Sequence, residues 1–191
     1  MTVRRAKGDD SDSVAAVLGG AFQDYEWTRW TVDARDHVAR IAALQRLTFT
    51  ELVLPFGEAW VAIEEDTVVS AAMWMLPDVG VPADVFERLA PPQAELEGDR
   101  HDASVAAEAA MEPYRSVHPH YFLGAVGTLP SHQRRGLGRA VLEPVLRRGG
   151  HARLETCGET NVAFYKRLGF SVVASVALPD GAPTVWVMAR G

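Results

Sequence analysis

The chain has 191 residues, of which 48% are hydrophobic and 23% charged, with a formal net charge of −6. A chain of this length and composition buries enough surface to fold without a disulfide or a metal, which excludes a disordered polymer. The acidic balance disfavours nucleic-acid and anionic-membrane partners, and no apolar run approaches the roughly 20 residues of a membrane span. We therefore expect one domain over residues 1–191 of a cytoplasmic protein.

The cysteine and histidine content restricts redox and metal chemistry. Cys157 is the only cysteine, which excludes a disulfide framework within one chain and a multi-cysteine zinc site. His118 and His120 have no supporting carboxylate at ligand spacing, so we expect no metal. The N-terminal residues turn acidic where a secretory signal would turn apolar, which also favours the cytoplasm.

The N-terminal half alternates strand and helix patterns. A first strand at residues 3–6 is followed by a helix that ends at Phe22, with Ser11 or Asp12 as its cap. A second helix, capped by Asp33, is predicted to end before Gly57. The Val-, Trp- and Met-rich segments 58–63 and 68–76 flank a polar turn and predict an antiparallel hairpin.

The C-terminal half begins with an Ala- and Pro-rich stretch, residues 77–119, which we expect to be a helical insertion over the sheet that sets substrate specificity. Its two predicted helices cover residues 81–96 and 104–115. Further elements are predicted as strands at 121–129, 152–156, 170–177 and 184–189, and as helices at 136–148 and 161–168. Pro144 should kink or shorten the first of these helices. Together the elements predict a mixed α/β sheet.

A basic, glycine-containing loop joins the strand at 121–129 to the next helix. Its residues are Gln133, Arg134, Arg135, Gly136, Leu137, Gly138 and Arg139. A helix N-terminus offers unpaired N–H groups and partial positive charge, which suit a phosphate. Each glycine costs on the order of 1 kcal/mol of helix stability, and a ligand approaching bare backbone would explain that cost. A purely structural loop with solvated arginines is the alternative.

Two motifs then resemble those of one enzyme superfamily. The spacing Gln133-x-x-Gly136-x-Gly138 after a strand resembles the acetyl-CoA-binding motif of the GNAT superfamily of N-acetyltransferases, and the stretch from Asn161 to Phe170 resembles its second CoA motif. Residues 21–25, 31–33, 154–156 and 186–190 resemble puromycin N-acetyltransferase and its relatives within that superfamily. The resemblance implies an α+β fold with a mixed, mostly antiparallel sheet flanked by helices.

The resemblance also implies where acetyl-CoA binds. The amides of the loop from Gln133 to Arg139 would hold the CoA pyrophosphate, while the backbone of Val126, Gly127 and Thr128 would hold the pantetheine arm like an added strand. A glycine inside a strand suits a bulge or a close ligand, which we expect of Gly127.

The short helix at 161–168 carries the other ligand-facing residues. Asn161 and Tyr165 are four residues apart and share a face that can meet the ligand, while Phe164 and Leu168 should pack on the sheet.

The catalytic roles follow from the chemistry of acetyl transfer. The resemblance puts Tyr165 near the CoA sulfur, where its hydroxyl can donate a proton as thiolate develops. The general base stays open among Glu155, Tyr25, His120 and Tyr121, some of them acting through water.

A covalent mechanism through Cys157 is disfavoured. With residues 151–157 in one strand, His151 would lie roughly 20 Å from the thiol, too far to act as its base. Direct attack of the amine in a ternary complex is therefore preferred.

An aromatic cluster follows the first helix. Tyr25, Trp27 and Trp30 form either core packing with a lid or the wall of an acceptor pocket, to which Asp24 and Glu26 would add negative charge suited to a cationic amine.

Three functions remain open. The first is acetylation of a small-molecule amine, for example an aminonucleoside-type antibiotic; the second is acetylation of a protein N-terminus or lysine; the third is a CoA-binding sensor without catalysis. An enclosed aromatic pocket would favour the first and an open groove the second. The oligomeric state is open, with a homodimer as one alternative.

Overall fold

The computed structural model describes residues 1–116, 118–179 and 181–191, in which helices flank both faces of a seven-stranded sheet. The strands are β1 (Thr2–Arg5), β2 (Gly57–Glu64), β3 (Thr67–Met75), β4 (Tyr121–Thr128), β5 (Ala152–Cys157), β6 (Ser171–Val176) and β7 (Val185–Arg190). The helices are α1 (Ser11–Phe22), α2 (Glu26–Thr31), α3 (His37–Thr48), α4 (Leu54–Phe56), α5 (Ala83–Glu97), α6 (His101–Met111), α7 (Leu137–Leu146) and α8 (Glu159–Lys166). None of the helices in this part of the chain combines the length and apolar character needed to cross a membrane.

The predicted strands agree with the observed ones to within one residue at each end, whereas the helix boundaries differ more. Helix α2 was not predicted, and a π-helical turn at Phe49–Val53 joins α3 to α4, so the second predicted helix is a composite. Helix α7 continues past Pro144 and ends at Leu146, short of the predicted end. Val117, within the expected insertion, lies outside the described residues.

Two predicted helix caps are wrong. A 3-10 turn at Gly8–Asp10 runs directly into α1, so Ser11 and Asp12 lie inside the helix. Asp10 precedes the helix, and its carboxylate accepts hydrogen bonds from the Arg4 guanidinium at 2.7 Å. Helix α3 begins only at His37, since the Asp33 carboxylate binds the backbone and side chain of Arg35.

The sheet is mixed and mostly antiparallel, as expected. Its strand order is β1-β2-β3-β4-β5-β7-β6, and only β4 and β5 run parallel to each other. That parallel pair covers just Tyr121–Leu123 of β4 and Ala152–Leu154 of β5, although both strands continue further. The sheet is therefore open between the ends of its two central strands.

Helices cover both faces of the sheet. On one face, Leu142 of α7 and Tyr165 of α8 pack in a core with Trp74 of β3. On the other face, Leu18 of α1 packs in a second core with Met73 of β3. Almost every residue of β3 is buried because the strand lies between these two cores.

Gly127 lies where α1 packs against β4. A Cβ atom at this position would stand 2.6 Å from Cβ of Ala21 and 2.9 Å from Cδ2 of Leu18. Gly127 pairs regularly with Ala71, so the expected bulge at this glycine is wrong, and the irregularity of β4 falls at Gly124 instead. The glycine is explained by the close approach of a helix.

We expect Gly127→Ala to lower the free energy of unfolding by about 1–3 kcal/mol, because the added methyl overpacks the α1–β4 contact. Gly124→Ala is the matched control in the same strand, since its Cβ would meet only the Met73 carbonyl oxygen, at 3.9 Å. Urea unfolding midpoints at an unchanged m-value measure the difference. Equal midpoints for the two variants would contradict this packing.

Candidate active site

The opening between β4 and β5 exposes one backbone edge of β4. Beyond Leu123 no strand of the described chain pairs with that edge, whereas the other edge remains bound to β3 as far as Thr128. Val126, Gly127 and Thr128 lie on this free segment. The free edge can accept an extended ligand in the way a sheet accepts a further strand.

The loop after β4 has an unusual backbone conformation. Arg134 has φ +62° and Gly136 has φ +81°, both in the left-handed region, and α7 starts at Leu137. The N–H groups of residues 134–139 have no hydrogen-bond acceptor among the described residues. The side chain of Gln133 donates to the Thr128 carbonyl at 3.3 Å and joins the loop to the strand. Such a row of free N–H groups is an anion-binding arrangement.

The side chains of this loop differ in their availability. Arg135 forms an ion pair with Glu64 at 2.9 Å, and Leu137 is buried in the core, so the latter can offer a ligand only its backbone. Arg134 and Arg139 are exposed, and Arg139 borders a groove of about 420 Å³ between α7 and the end of α8. Gly138 lies beside Thr128, with Oγ1 at 3.7 Å from a Cβ built on the glycine.

Helix α8 packs on the core with several of its side chains. Phe164 and Leu168 are partly buried and pack against the core, as predicted, and Val162 and Tyr165 are buried in it. Asn161 donates from Nδ2 to the Cys157 carbonyl at 2.9 Å, which ties the start of α8 to the end of β5. Tyr165, expected to share a ligand-facing side with Asn161, is thus largely enclosed by the core.

Tyr165 is a buried phenol without a hydrogen-bond partner in the described chain. Its ring packs edge-on against Phe164 and Phe170, with centroids 5.1 and 5.9 Å away, and 8% of the residue is exposed. Burial raises the pKa of Tyr165, and the nearby Tyr25 phenol adds to the rise. Tyr165 thus keeps its proton at neutral pH and can donate it.

A cavity of about 220 Å³, called here the acceptor cavity, lies beside the end of β5. Its described lining residues are Tyr25, Trp27, Glu108, Arg115, Phe122, Leu123, Gly124, Glu155, Thr156, Cys157 and Val185. The expected aromatic wall is present in Tyr25 and Trp27. Trp30 instead lies under the Arg100 guanidinium, 5.9 Å from its carbon, and Asp24 and Glu26 are exposed outside the cavity.

Tyr25 is held at the end of β5. The Cys157 N–H donates to its hydroxyl oxygen at 2.7 Å, and Thr156 Oγ1 lies 3.3 Å away. Burial raises the pKa of the Tyr25 phenol, with a further contribution from Cys157. Burial also raises the pKa of the Cys157 thiol to about 11, so this cysteine stays protonated rather than nucleophilic.

Glu155 is the carboxylate whose environment is most suited to proton transfer. Burial raises its pKa, Arg115 and Arg153 oppose the rise, and Glu108 adds to it. Glu108 and Glu112 in turn pair with Arg115. A partly buried carboxylate in a cavity, with a raised pKa, is a candidate acid or base.

The other two candidate bases lie outside the acceptor cavity. His120 bonds through Nδ1 to the His118 carbonyl oxygen at 2.7 Å. Tyr121 lies at the far end of β4, where its N–H donates to the His151 carbonyl oxygen. Within the described ranges, no group of three or more His, Cys, Asp or Glu side chains is arranged to hold a metal ion.

Sequence reasoning missed Glu108, Arg115 and Phe122 as cavity residues. Glu108 belongs to α6, far along the chain from β5, and no local pattern marks it as facing Glu155. Because Glu108 pairs with Arg115 in the same lining, Glu155 is the carboxylate that supplies the negative charge expected from Asp24 and Glu26.

Comparison with solved structures shows where this architecture recurs. One solved structure, from Corynebacterium glutamicum, is described as "histone acetyltransferase HPA2 and related acetyltransferase". It is 24% identical to this chain, with a TM-score of 0.74 over 99% of this chain and 94% of that chain. The polyamine N-acetyltransferase of Drosophila melanogaster is 18% identical, with a TM-score of 0.62 over 98% of both chains. The ribosomal-protein-S18-alanine N-acetyltransferase of Escherichia coli is 16% identical, with a TM-score of 0.55 over 99% of this chain and 92% of that chain. At these identities the likeness concerns the fold.

The family follows from the sequence match. The model of the acetyltransferase (GNAT) family matches residues 21–170, a segment that holds the aromatic cluster, the loop before α7 and Tyr165. Because this segment makes up most of the chain and the fold agrees, the protein belongs to the GNAT family of acetyltransferases.

Proposed function

We propose that this chain transfers the acetyl group of acetyl-CoA to a primary amine of a small molecule, by direct attack in a ternary complex. One observation carries the proposal. The free edge of β4 runs from the acceptor cavity at Gly124 to the anion-binding loop that follows Thr128. A long donor can therefore lie along the opening, with its acidic end at the loop and its reactive end at the cavity.

The residues present fit a CoA donor, which members of this family use. The free N–H groups of residues 134–139 suit the two charges of a pyrophosphate, and Arg134 and Arg139 add positive charge. Acetyl-CoA supplies an activated thioester and a sulfur leaving group. We assign its binding to the following residues: Val126, Gly127, Thr128, Gln133, Arg134, Arg135, Gly136, Leu137, Gly138, Arg139, Asn161 and Tyr165.

Tyr165 and Glu155 divide the proton transfers between them. Burial disfavours ionisation of Tyr165, so the phenol is protonated at neutral pH, and we propose that its O–H donates a hydrogen bond, and ultimately the proton, to the leaving thiolate. Glu155 takes the proton that the amine loses on attack. Tyr25 also keeps its proton, so we propose that it positions the end of β5 rather than acts as a base.

The acceptor end favours a small amine over a protein segment. Aromatic side chains and α6 wall the acceptor cavity, and its carboxylates suit a cationic amine. Glu108 and Arg115 come from residues 77–119, which supports this segment as an insertion that shapes specificity within one domain. Aminonucleosides such as puromycin are acceptors to test, since residues 21–25 and 154–156 resemble that group of enzymes.

The direct test follows free thiol released from acetyl-CoA with a panel of aliphatic amines, puromycin and peptide amines. We expect turnover with small amines.

Tyr165→Phe should lower kcat more than tenfold in this assay, with little change in CoA affinity, because only proton donation is lost. Tyr114→Phe, a change at a 40% exposed tyrosine, is the control. Unchanged kcat in Tyr165→Phe would remove its role. CoA binding without thiol release would favour a sensor, and release only with peptides a protein acetyltransferase.

Gly136→Ala should weaken CoA binding at least tenfold in calorimetric titration, because alanine disfavours the left-handed conformation that exposes the loop N–H groups. Gly149→Ala is a closely matched control. Gly149 has φ +73° and, like Gly136, has no atom within 4 Å of an added Cβ, so both variants carry similar backbone strain. Equal affinities for the two variants would show that the loop does not hold the donor.

Glu155→Gln should become more stable relative to the wild type as pH rises above about 4.5, the ordinary value of a glutamate pKa. The raised pKa means that the folded wild type binds the proton more tightly than the unfolded chain does, so its unfolding free energy falls with pH, whereas the glutamine has no charge to bury. Urea unfolding at several pH values measures this difference in unfolding free energy.

The Glu155→Gln variant should also lose turnover while it keeps its affinity for CoA. Full turnover would exclude Glu155 as the base.

A further inference from the structure

The carboxylate of Glu155 depends on charges that do not touch it. Among the described residues no side chain or backbone group forms a hydrogen bond with this carboxylate. Arg115 and Glu108 line the same cavity, and Arg153 lies two residues before it on β5. The other ionisable groups of the described lining are Tyr25 and Cys157, both protonated at neutral pH. The ionisation of Glu155 is therefore governed by one carboxylate and two guanidinium groups.

The guanidinium of Arg115 is held by two carboxylates of the preceding segment. Its Nη1 donates to Glu112 at 2.9 Å, and its Nη2 donates to Glu108. These ion pairs leave no direct pair between Arg115 and Glu155. The positive charge of Arg115 therefore acts on Glu155 across the cavity, while the oxygens of Glu155 remain free to accept a proton.

A hydrogen bond from β5 fixes the backbone next to Arg115. Arg153 donates from Nη2 to the Tyr114 carbonyl oxygen at 2.8 Å. Because side chains alternate along a strand, Arg153 and Glu155 lie on the same face of β5. The bond thus joins the segment that carries Arg115 to the strand that carries Glu155.

We propose that Arg115 is a positioning residue that holds Glu155 in its ionised, proton-accepting form, with Arg153 as the anchor of Arg115 on β5. This inference rests on the proposed role of Glu155 as the base and adds the residue that adjusts it. A partly buried carboxylate without a nearby cation favours its protonated form, which cannot take a proton from an amine. Glu108 binds Arg115 and opposes its charge, so the two together set the pH at which Glu155 ionises.

The first test is the pH dependence of kcat/KM, followed by thiol release from acetyl-CoA with one aliphatic amine that the wild type acetylates. In Arg115→Met the acidic limb should move to higher pH by about half a unit or more, because the Glu155 anion loses a cation. In Glu108→Gln the limb should move to lower pH, since a negative charge is removed. Arg115→Lys retains the positive charge and should reverse most of the first shift.

Two further variants test the anchor and the background. Arg153→Met should move the acidic limb in the same direction as Arg115→Met, because it removes both a cation and the bond to Tyr114. Arg88→Met is the matched control. Arg88 lies in the same insertion, pairs with Asp84 and is outside the described lining of the acceptor cavity, so its profile should equal that of the wild type.

A second measurement follows Glu155 without turnover. The carboxyl ¹³C resonance of Glu155, assigned by its absence in Glu155→Gln, is titrated in the full chain without acetyl-CoA. Its midpoint should rise in Arg115→Met and fall in Glu108→Gln, as the acidic limbs do. Circular dichroism of each variant confirms that it is folded.

The outcomes separate this role of Arg115 from the function on which it rests. A loss of kcat/KM that is equal at every pH would indicate a merely structural role and overturn the inference. Shifts in the same direction for Arg115→Met and Glu108→Gln, or an unmoved Glu155 midpoint, would also overturn it. If the midpoint moves as expected but no amine releases thiol, the proposed function fails, whereas the control of Glu155 by Arg115 stands.

Discussion

Two parallel strands that stop pairing before they end leave backbone hydrogen-bonding groups for another partner to satisfy. In this protein β4 and β5 separate after Leu123 and Leu154, while β3 still holds the outer edge of β4 and β7 still holds the outer edge of β5. The rest of the sheet therefore holds the two strands apart. The proposed donor site, the acceptor cavity and the side chains proposed to transfer protons all adjoin this opening.

The two sides of the opening are chemically unequal. Tyr165 belongs to the core beneath α7 and α8, whereas Tyr25 belongs to the side covered by α6. Burial keeps both phenols protonated, so neither removes a proton from an amine at neutral pH. The carboxylate of Glu155, whose pKa burial also raises, is left to accept a proton. Desolvation thus acts on all three groups in the same direction, and the lower intrinsic pKa of a carboxyl group is what leaves Glu155 as the proposed proton acceptor.

Two features of the site reduce stability. Arg134 occupies the left-handed region without being glycine, and Glu155 is a partly buried carboxylate. Such departures are maintained by the surrounding packing and concentrate where ligands bind. Here they lie at the loop before α7 and in the acceptor cavity.

Local patterns in the sequence predicted the strands closely, because the period of apolar residues and the intervening turns depend only on neighbouring residues. The same holds for the glycine loop and for the motif around Asn161 and Tyr165, which identified the family. The predicted helix caps failed, since a 3-10 turn places Ser11 and Asp12 inside α1 and Asp33 binds Arg35, neither of which spacing reveals.

Tertiary packing decided the rest. It chose Val162 with Tyr165 as the buried face of α8, put α1 against Gly127, and brought Glu108 and Arg115 to Glu155 from a distant part of the chain. The physical reason is that a sequence period describes one element at a time, whereas the meeting of elements far apart in the chain depends on how their buried surfaces fit together.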